Sequence, residues 1–157
     1  MEIIYLKHLA NIDKIGGWET KGISLQEIIE LERKYNEGKP FPKSYREYLY
    51  LAGRISGITL DSGFGFDWLQ ETSKGMLKEF NQSIDRPFFV IDQLDGCEQF
   101  GFFYLDEEGD DPIIYNCAPP YVEDGDPLIK PYNQGRFSKV IESKIEEAKV
   151  HDRNINE

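Results

Sequence analysis

Residues 88–116 decide the fold class, and they read FFVIDQLDGCEQFGFFYLDEEGDDPIIYN. Three short apolar or aromatic runs are separated by turn-forming residues: Phe88–Ile91, Phe100–Leu105 and Ile113–Asn116. Runs of this length between Asp-Gly, Glu-Gly and Pro signals are typical of strands. Because the connections are too short for parallel crossovers, the stretch predicts an antiparallel meander.

The sequence before the meander has a helical period. Leu25, Ile28 and Ile29 fall on one face of a first predicted helix. Ser24 and Glu27 have the spacing of a capping box at its start, since the hydroxyl and the carboxylate can each accept a backbone N–H. Gly38 and Pro40 predict its end.

Two further helices are predicted ahead of the strands. One begins near Pro42 and stops at Gly53, with a buried face at i, i+3, i+4 and i+7 formed by Tyr45, Tyr48, Leu49 and Ala52. The next runs from Asp67 to about Phe80, with a shared face of Trp68, Leu69, Thr72, Met76, Leu77 and Phe80.

The chain closes on another helical stripe, formed by Phe137, Val140, Ile141, Ile145 and Ala148, with Ser138 as a candidate cap. Ile12–Ile15 and Ile55–Leu60 are candidates for further strands. This order predicts an α+β fold with a central antiparallel sheet and helices packed on one face. We expect a single domain over residues 1–157, with a frayed tail at 151–157.

The net charge is −11, and it is concentrated in one stretch. Between Arg86 and Lys130 there are eleven acids and no base, whereas the remaining acids and bases balance at 18 each. Such a surface repels nucleic acid and attracts a basic protein partner. The alternative interpretation is that these acids are solvated turns between strands.

The acidic stretch also contains tyrosines, which suit protein interfaces because a rigid ring carries a polar tip. Tyr104 and Tyr115 are expected in the core, whereas Tyr121 lies in the loop Ala118–Asp126. The predicted partner-binding residues are Asp106, Glu107, Glu108, Asp110, Asp111, Tyr121, Glu123 and Asp124.

Motifs for catalysis and for cofactors are missing from the sequence. His8 and His151 lie near opposite ends of the chain, and there is no closely spaced Cys/His set of the kind that zinc uses. The acidic turns do not fit an EF-hand, and Gly63-Phe64-Gly65 does not fit a phosphate-binding loop. We therefore expect no catalytic residues, no cofactor and no metal.

Other features bear on the compartment. The sequence has no apolar run of membrane-spanning length and no signal-peptide layout at residues 1–10. Cys97 and Cys117 are interpreted as free thiols in a reducing compartment, with a disulfide as the alternative in an oxidising one. A cytoplasmic protein without membrane or nucleic-acid partners is the expectation.

Several of these segments occur in the order of a known family. Ile23–Leu31 and the segment FPKSYREYL at Phe41–Leu49, followed by Gly53, resemble the opening helices of the SUKH superfamily. The strand at Phe88–Ile91, the strand at Phe100–Leu105 and the step Asp110–Tyr115 resemble its central sheet. Phe137–Ile145 resembles its closing helix, so the resemblance spans roughly Ile23 to Ala148.

The resemblance implies a non-catalytic α+β domain that binds proteins. Bacterial members of the superfamily include immunity proteins that neutralise polymorphic toxins, many of them nucleases or deaminases. The first expectation is therefore an immunity protein that binds a basic toxin domain through its acidic surface. The alternative is a regulatory or scaffold protein related to cell-wall glucan synthesis and signalling.

Overall fold

The computed structural model describes residues 1–58 and 65–156, with side chains as far as Asp152. The described part is an α+β protein with antiparallel sheets, which confirms the predicted class. In chain order its elements are α1 (Lys7–Ala10), β1 (Lys14–Ile15), β2 (Trp18–Glu19), α2 (Leu25–Tyr35), α3 (Lys43–Ala52), α4 (Phe66–Glu79), β3 (Phe88–Leu94), β4 (Gln99–Tyr104), β5 (Ile113–Cys117), a 3₁₀ turn (Pro119–Tyr121), β6 (Ile129–Arg136) and α5 (Phe137–Asn156).

The chain forms two compact units whose segments are interleaved in sequence. The helical unit comprises Met1–Ile58, Glu108–Pro112 and Arg136–Glu157. The sheet unit comprises Thr59–Glu107 and Ile113–Gly135. The segments of the two units alternate along the chain, so neither unit is one continuous stretch of sequence.

Aromatic packing builds the core of the helical unit. The predicted face of α3 is buried, with Tyr45, Tyr48, Leu49 and Ala52 at most 5% exposed. The Phe137 ring at the start of α5 contacts the Tyr45 ring edge-on, with centroids 5.5 Å apart, and the Tyr48 ring at 5.9 Å. Each such pair adds about 0.5–1.5 kcal/mol beyond the buried area.

In α2 the capping box is confirmed, but the apolar face is only partly buried. Ser24 Oγ accepts the Glu27 N–H, and the Glu27 carboxylate accepts the Ser24 N–H at 2.7 Å. Ile28 is fully buried, whereas Leu25 and Ile29 are 44% and 39% exposed. The buried stripe is instead centred on Ile28 and Glu32, because the Glu32 carboxylate faces α3.

Two buried carboxylates connect segments of the helical unit. Glu32 Oε1 accepts the Phe41 N–H at 2.9 Å and lies 2.7 Å from Arg46 Nε. Glu47, whose side chain is fully buried, accepts the backbone N–H groups of residues 4, 5 and 6 at 2.8–2.9 Å. Charged acceptors in such positions form strong bonds, so Glu47 anchors the N-terminal segment to α3.

The sheet has the order β3-β4-β5-β6, and the predicted meander supplies its first three strands. Phe88 pairs with Tyr104, and Phe102 pairs with Tyr115 in the next ladder. A register shift between Val90 and Asp92 interrupts β3. One cluster of buried side chains on this sheet consists of Leu69, Leu77, Val90, Cys97, Phe100, Phe102, Tyr104 and Cys117.

The helix α4 covers β3, but its buried stripe is rotated from the predicted one. Its buried residues are Leu69, Gln70, Ser73 and Leu77, while Phe80 lies past the helix end and is 40% exposed. Gln70 explains the rotation. Its amide accepts the Val90 N–H at 2.9 Å and donates to the Val90 carbonyl at 2.8 Å. These two bonds pair backbone groups that would otherwise be open at the edge strand β3.

The remaining elements differ from the sequence predictions in detail. β6 was not predicted, and Ile12–Ile15 contributes only the two-residue strand β1. Ile55 forms an isolated bridge with Lys21, whereas Thr59 and Leu60 of that predicted strand lie outside the described residues. α5 begins at Phe137 and continues through Asn156. Over 1–58 and 65–156, no helix combines the length and apolarity that a membrane crossing requires.

Candidate functional site

The antiparallel topology divides the predicted partner-binding residues of the sheet unit between two ends of the sheet. The β5–β6 loop, with Tyr121, Glu123 and Asp124, shares one end with the β3–β4 turn. Asp106 and Glu107 follow the other end of β4. A strand of six residues spans roughly 20 Å, so the two groups are separated by about that distance.

At the first end, an exposed tyrosine is held among carboxylates. The Tyr121 side chain is 64% exposed, and its hydroxyl donates to Glu98 Oε2 at 2.5 Å. The hydrogen bond to Glu98, the charge of Glu98 and the charge of Asp95 all raise the pKa of Tyr121 above its usual value. Glu123 and Asp124 are exposed in the same loop. We call Asp95, Glu98, Tyr121, Glu123 and Asp124 the tyrosine end.

Local backbone chemistry positions both partners of that hydrogen bond. Tyr121 closes a 3₁₀ turn that begins with Pro119 and Pro120, whose rings fix φ. The four-residue turn between the paired residues Leu94 and Gln99 has positive φ at Asp95, Gly96 and Cys97, 52°, 68° and 66°. The Gln93 amide oxygen accepts the N–H groups of Gly96 and Cys97, which stabilises the turn ahead of Glu98.

The recess beside Tyr121 is small. It is lined by Asn116, Ala118, Tyr121, Val122, Asp126, Pro127, Leu128 and Lys130 and has a volume of about 70 Å³. Pockets for drug-sized ligands measure roughly 300–1,000 Å³. This recess is therefore too small to enclose a ligand of that size.

The opposite end of the sheet is organised around a cation. The Arg86 guanidinium donates to both carboxylate oxygens of Asp106 at 2.7–3.2 Å, and it lies over the Tyr104 ring at 3.8 Å. This pairing lowers the pKa of Asp106. Tyr115 packs against Tyr104, with ring centroids 4.9 Å apart. The charge of Asp106 is thus paired with that of Arg86. Tyr104 and Tyr115 pack against other rings, as expected.

The other three predicted residues, Glu108, Asp110 and Asp111, belong to the helical unit. Glu108 and Asp110 are exposed. Asp111 has a structural contact, since its carboxylate accepts the Ser138 N–H at 2.9 Å and the Ser138 hydroxyl at 2.6 Å. Asp111 therefore caps the start of α5, in the place where Ser138 was the candidate cap.

Two residues of the tyrosine end were absent from the predicted partner-binding set. Asp95 and Glu98 lie in the β3–β4 turn, 26 and 23 positions before Tyr121 in the chain. Only the strand register brings them to Tyr121, and the sequence pattern contains no separate signal for that register. Tyr132, by contrast, packs inside the sheet unit, where burial raises its pKa.

Two buried carboxylates and two buried thiols are further candidates for reactive groups among the described residues. Glu32 and Glu47 are occupied by backbone N–H groups and by Arg46. Cys97 and Cys117 are free thiols, as interpreted from the sequence, and both are fully buried. Burial raises the pKa of Cys97 to about 11 and that of Cys117 to about 12. At neutral pH both remain protonated and therefore weak nucleophiles.

One group of side chains in the helical unit has the donor atoms of a metal site. The ligand atoms of His8, Glu142 and Glu146 lie within 4.8 Å of one another. His8 comes from α1, and the two glutamates lie one turn apart on α5. The imidazole nitrogen makes this set chemically distinct from the carboxylates and phenol of the tyrosine end.

Comparisons with models of protein families, with curated proteins and with solved structures returned no match.

Proposed function

We propose that this chain is a non-catalytic protein-binding domain, an immunity protein that neutralises a nuclease-type toxin by binding it through the tyrosine end. The observation that carries the proposal is the exposed Tyr121 ring, held by Glu98 among further acids. The proposal keeps Tyr121, Glu123 and Asp124 from the sequence and adds Asp95 and Glu98.

Tyr121 has the properties of an interface anchor. Interface hot spots are enriched in tyrosine, because its ring buries a large area at little entropic cost. Here the ring is restrained before any partner arrives, since the Glu98 carboxylate and the preceding prolines restrict it. Ordering a side chain on binding costs about 0.5–1.5 kcal/mol, so this restraint favours association.

The surrounding charge favours a basic partner. Asp95, Glu123 and Asp124 are exposed and have no ion pair among the described contacts, whereas Asp106 is paired with Arg86. Unpaired carboxylates project a negative field that accelerates the approach of a positive surface, and salt weakens that effect.

A nuclease toxin supplies a surface of matching chemistry. Enzymes that cut nucleic acid bind phosphates through clustered Lys and Arg side chains. An acidic surface with a projecting aromatic ring competes for the same groove and blocks the substrate. The SUKH resemblance supports the choice of an immunity role among protein-binding functions.

Capture from the source cell tests the proposal. Tagged protein serves as bait in low and in moderate salt, beside two charge-matched variants. Glu123→Lys with Asp124→Lys changes the tyrosine end. Glu108→Lys with Asp110→Lys changes the net charge equally but lies in the helical unit.

We expect a basic toxin-like protein to bind the wild type and the Glu108/Asp110 variant, and to be lost from the Glu123/Asp124 variant. Equal loss from both variants would show that net charge, and not the tyrosine end, controls binding. Recovery of a wall-synthesis or signalling component in place of a toxin would replace the immunity role with the scaffold role.

A further inference from the structure

The cluster of His8, Glu142 and Glu146 joins two segments that are far apart in the sequence. His8 Nδ1 lies 2.5 Å from Glu142 Oε1, across 134 positions of the chain. Glu146 lies one helical turn beyond Glu142, and residues four apart on a helix share a face. All three donor atoms fall within 4.8 Å of one another.

A cation already occupies this cluster. The ammonium group of Lys149 lies 2.9 Å from His8 Nε2 and 3.4 Å from Glu146 Oε1. An ammonium only donates, so the imidazole Nε2 must accept from it with a lone pair. The proton of the neutral ring then sits on Nδ1 and is donated to Glu142. Lys149 thereby holds the proton on Nδ1; without the ammonium that proton can move to Nε2, which leaves the Nδ1 lone pair on the side where Glu142 lies.

We propose that His8, Glu142 and Glu146 bind a divalent transition-metal ion, with zinc the best fit, and that Lys149 is the intramolecular competitor of that ion. One imidazole and two carboxylates, completed by water, form an open tetrahedral zinc site. Calcium and magnesium prefer oxygen donors alone, so the imidazole favours zinc and its neighbours in the transition series.

Zinc binding requires only small movements of the three ligand side chains. Zinc bonds of roughly 2.0–2.2 Å place neighbouring ligand atoms about 3.3 Å apart in a tetrahedron. His8 Nδ1 and Glu142 Oε1, now 2.5 Å apart, would need to open by about 0.8 Å once an ion replaces the proton between them, and donor atoms as far apart as 4.8 Å would need to close by about 1.5 Å. The His8 side chain is 35% exposed and that of Glu142 is 46% exposed, so an ion can enter from solvent.

Binding of the ion has a defined structural consequence. It would cross-link the short helix α1 to α5, because His8 belongs to one and both glutamates to the other. Any ligand that binds only the folded chain raises its stability in proportion to the logarithm of its concentration. Zinc should therefore raise the melting temperature of the metal-free protein.

Titration of the metal-free protein with zinc chloride, followed by calorimetry and thermal melting, tests this site. We expect one ion per chain and a higher melting temperature. Glu146→Gln should weaken binding about tenfold or more, and His8→Ala should abolish it. Lys149→Met should strengthen binding several-fold, since the competing ammonium is gone; a purely structural ion pair would not produce that gain.

Two controls make the result decisive. His151→Gln removes an exposed histidine from the same helix and should leave zinc affinity unchanged. X-ray absorption of the zinc-loaded protein should show nitrogen and oxygen ligands alone. Sulfur ligands, equal loss of binding in His151→Gln, or a Lys149→Met variant that binds zinc no better than wild type would overturn the proposal.

Discussion

The Tyr121 hydroxyl donates a hydrogen bond to Glu98 Oε2 at 2.5 Å, which connects the β5–β6 loop to the β3–β4 turn. The two residues are 23 positions apart in the chain. Their contact holds an exposed aromatic ring in place on an acidic surface.

The bond can be measured through the titration of Tyr121. The neighbouring carboxylates raise the pKa of Tyr121, because ionisation removes the donated proton and places a phenolate beside Glu98. Glu98→Gln keeps an acceptor but removes the charge, so the pKa should fall toward about 10. NMR of ring-labelled tyrosine follows this titration directly. An unchanged pKa of Tyr121 in the variant would show that Glu98 does not accept a hydrogen bond from the Tyr121 hydroxyl.

Glu47→Gln should destabilise the helical unit strongly. The Glu47 carboxylate accepts three backbone N–H groups from residues 4–6 without solvent access, and an amide nitrogen would oppose some of these donors. We expect a loss of about 3 kcal/mol in the free energy of unfolding, measured by urea denaturation. Glu71→Gln, at an exposed position of α4, is the matched control and should change it by under about 0.5 kcal/mol.

Gln70→Ala should destabilise the chain through the edge of the sheet. The Gln70 amide bonds both the N–H and the carbonyl of Val90, so alanine leaves two buried backbone groups unpaired on β3. The expected loss is about 3 kcal/mol. Since an unpaired edge strand recruits other chains, this variant should also aggregate faster on heating. Glu71→Ala on the exposed face of α4 should show neither effect.

Cys97 and Cys117 should not react with a thiol reagent in the folded protein at pH 8, and both should react in urea. Burial raises their pKa values to about 11 and about 12. In the unfolded chain they ionise near the usual value of about 8.5. The contribution of these two thiols to the free energy of unfolding should therefore be fully present below about pH 8.5. It should be lost as the pH rises toward 11, because in that range only the unfolded state releases these protons. Fast labelling without denaturant would contradict the buried, protonated state.

The local part of the fold was predictable from the sequence because its signals are local. The Ser24–Glu27 capping box, the α3 face and the first three strands of the meander each depend on neighbouring residues. β6 was missed because Ile129–Arg136 contains Pro131 and Gly135, and few of its residues are apolar. Its place at the edge of the sheet tolerates that proline, whose missing N–H needs no partner there.

The functional surfaces were less predictable, because they depend on contacts between distant residues. An acidic stretch that is continuous in sequence divides among two ends of the sheet and a segment of the helical unit, and Arg86 neutralises Asp106 at one end of the sheet. Glu98 reaches Tyr121 only through the strand register. His8 reaches Glu142 across 134 positions. Spacing along the chain contains no signal for contacts of this kind.

Site-specific photo-cross-linking tests the central claim most directly. A photoreactive phenylalanine analogue replaces Tyr121 in one variant and Tyr50 in another; Tyr50 is an exposed tyrosine of α3, 38% exposed. Irradiation in the source cell should join a basic protein to position 121, with little product at position 50 and less product when salt is raised in the extract. Cross-links at position 50 alone, or equal cross-links at both positions, would contradict the tyrosine end as the binding surface.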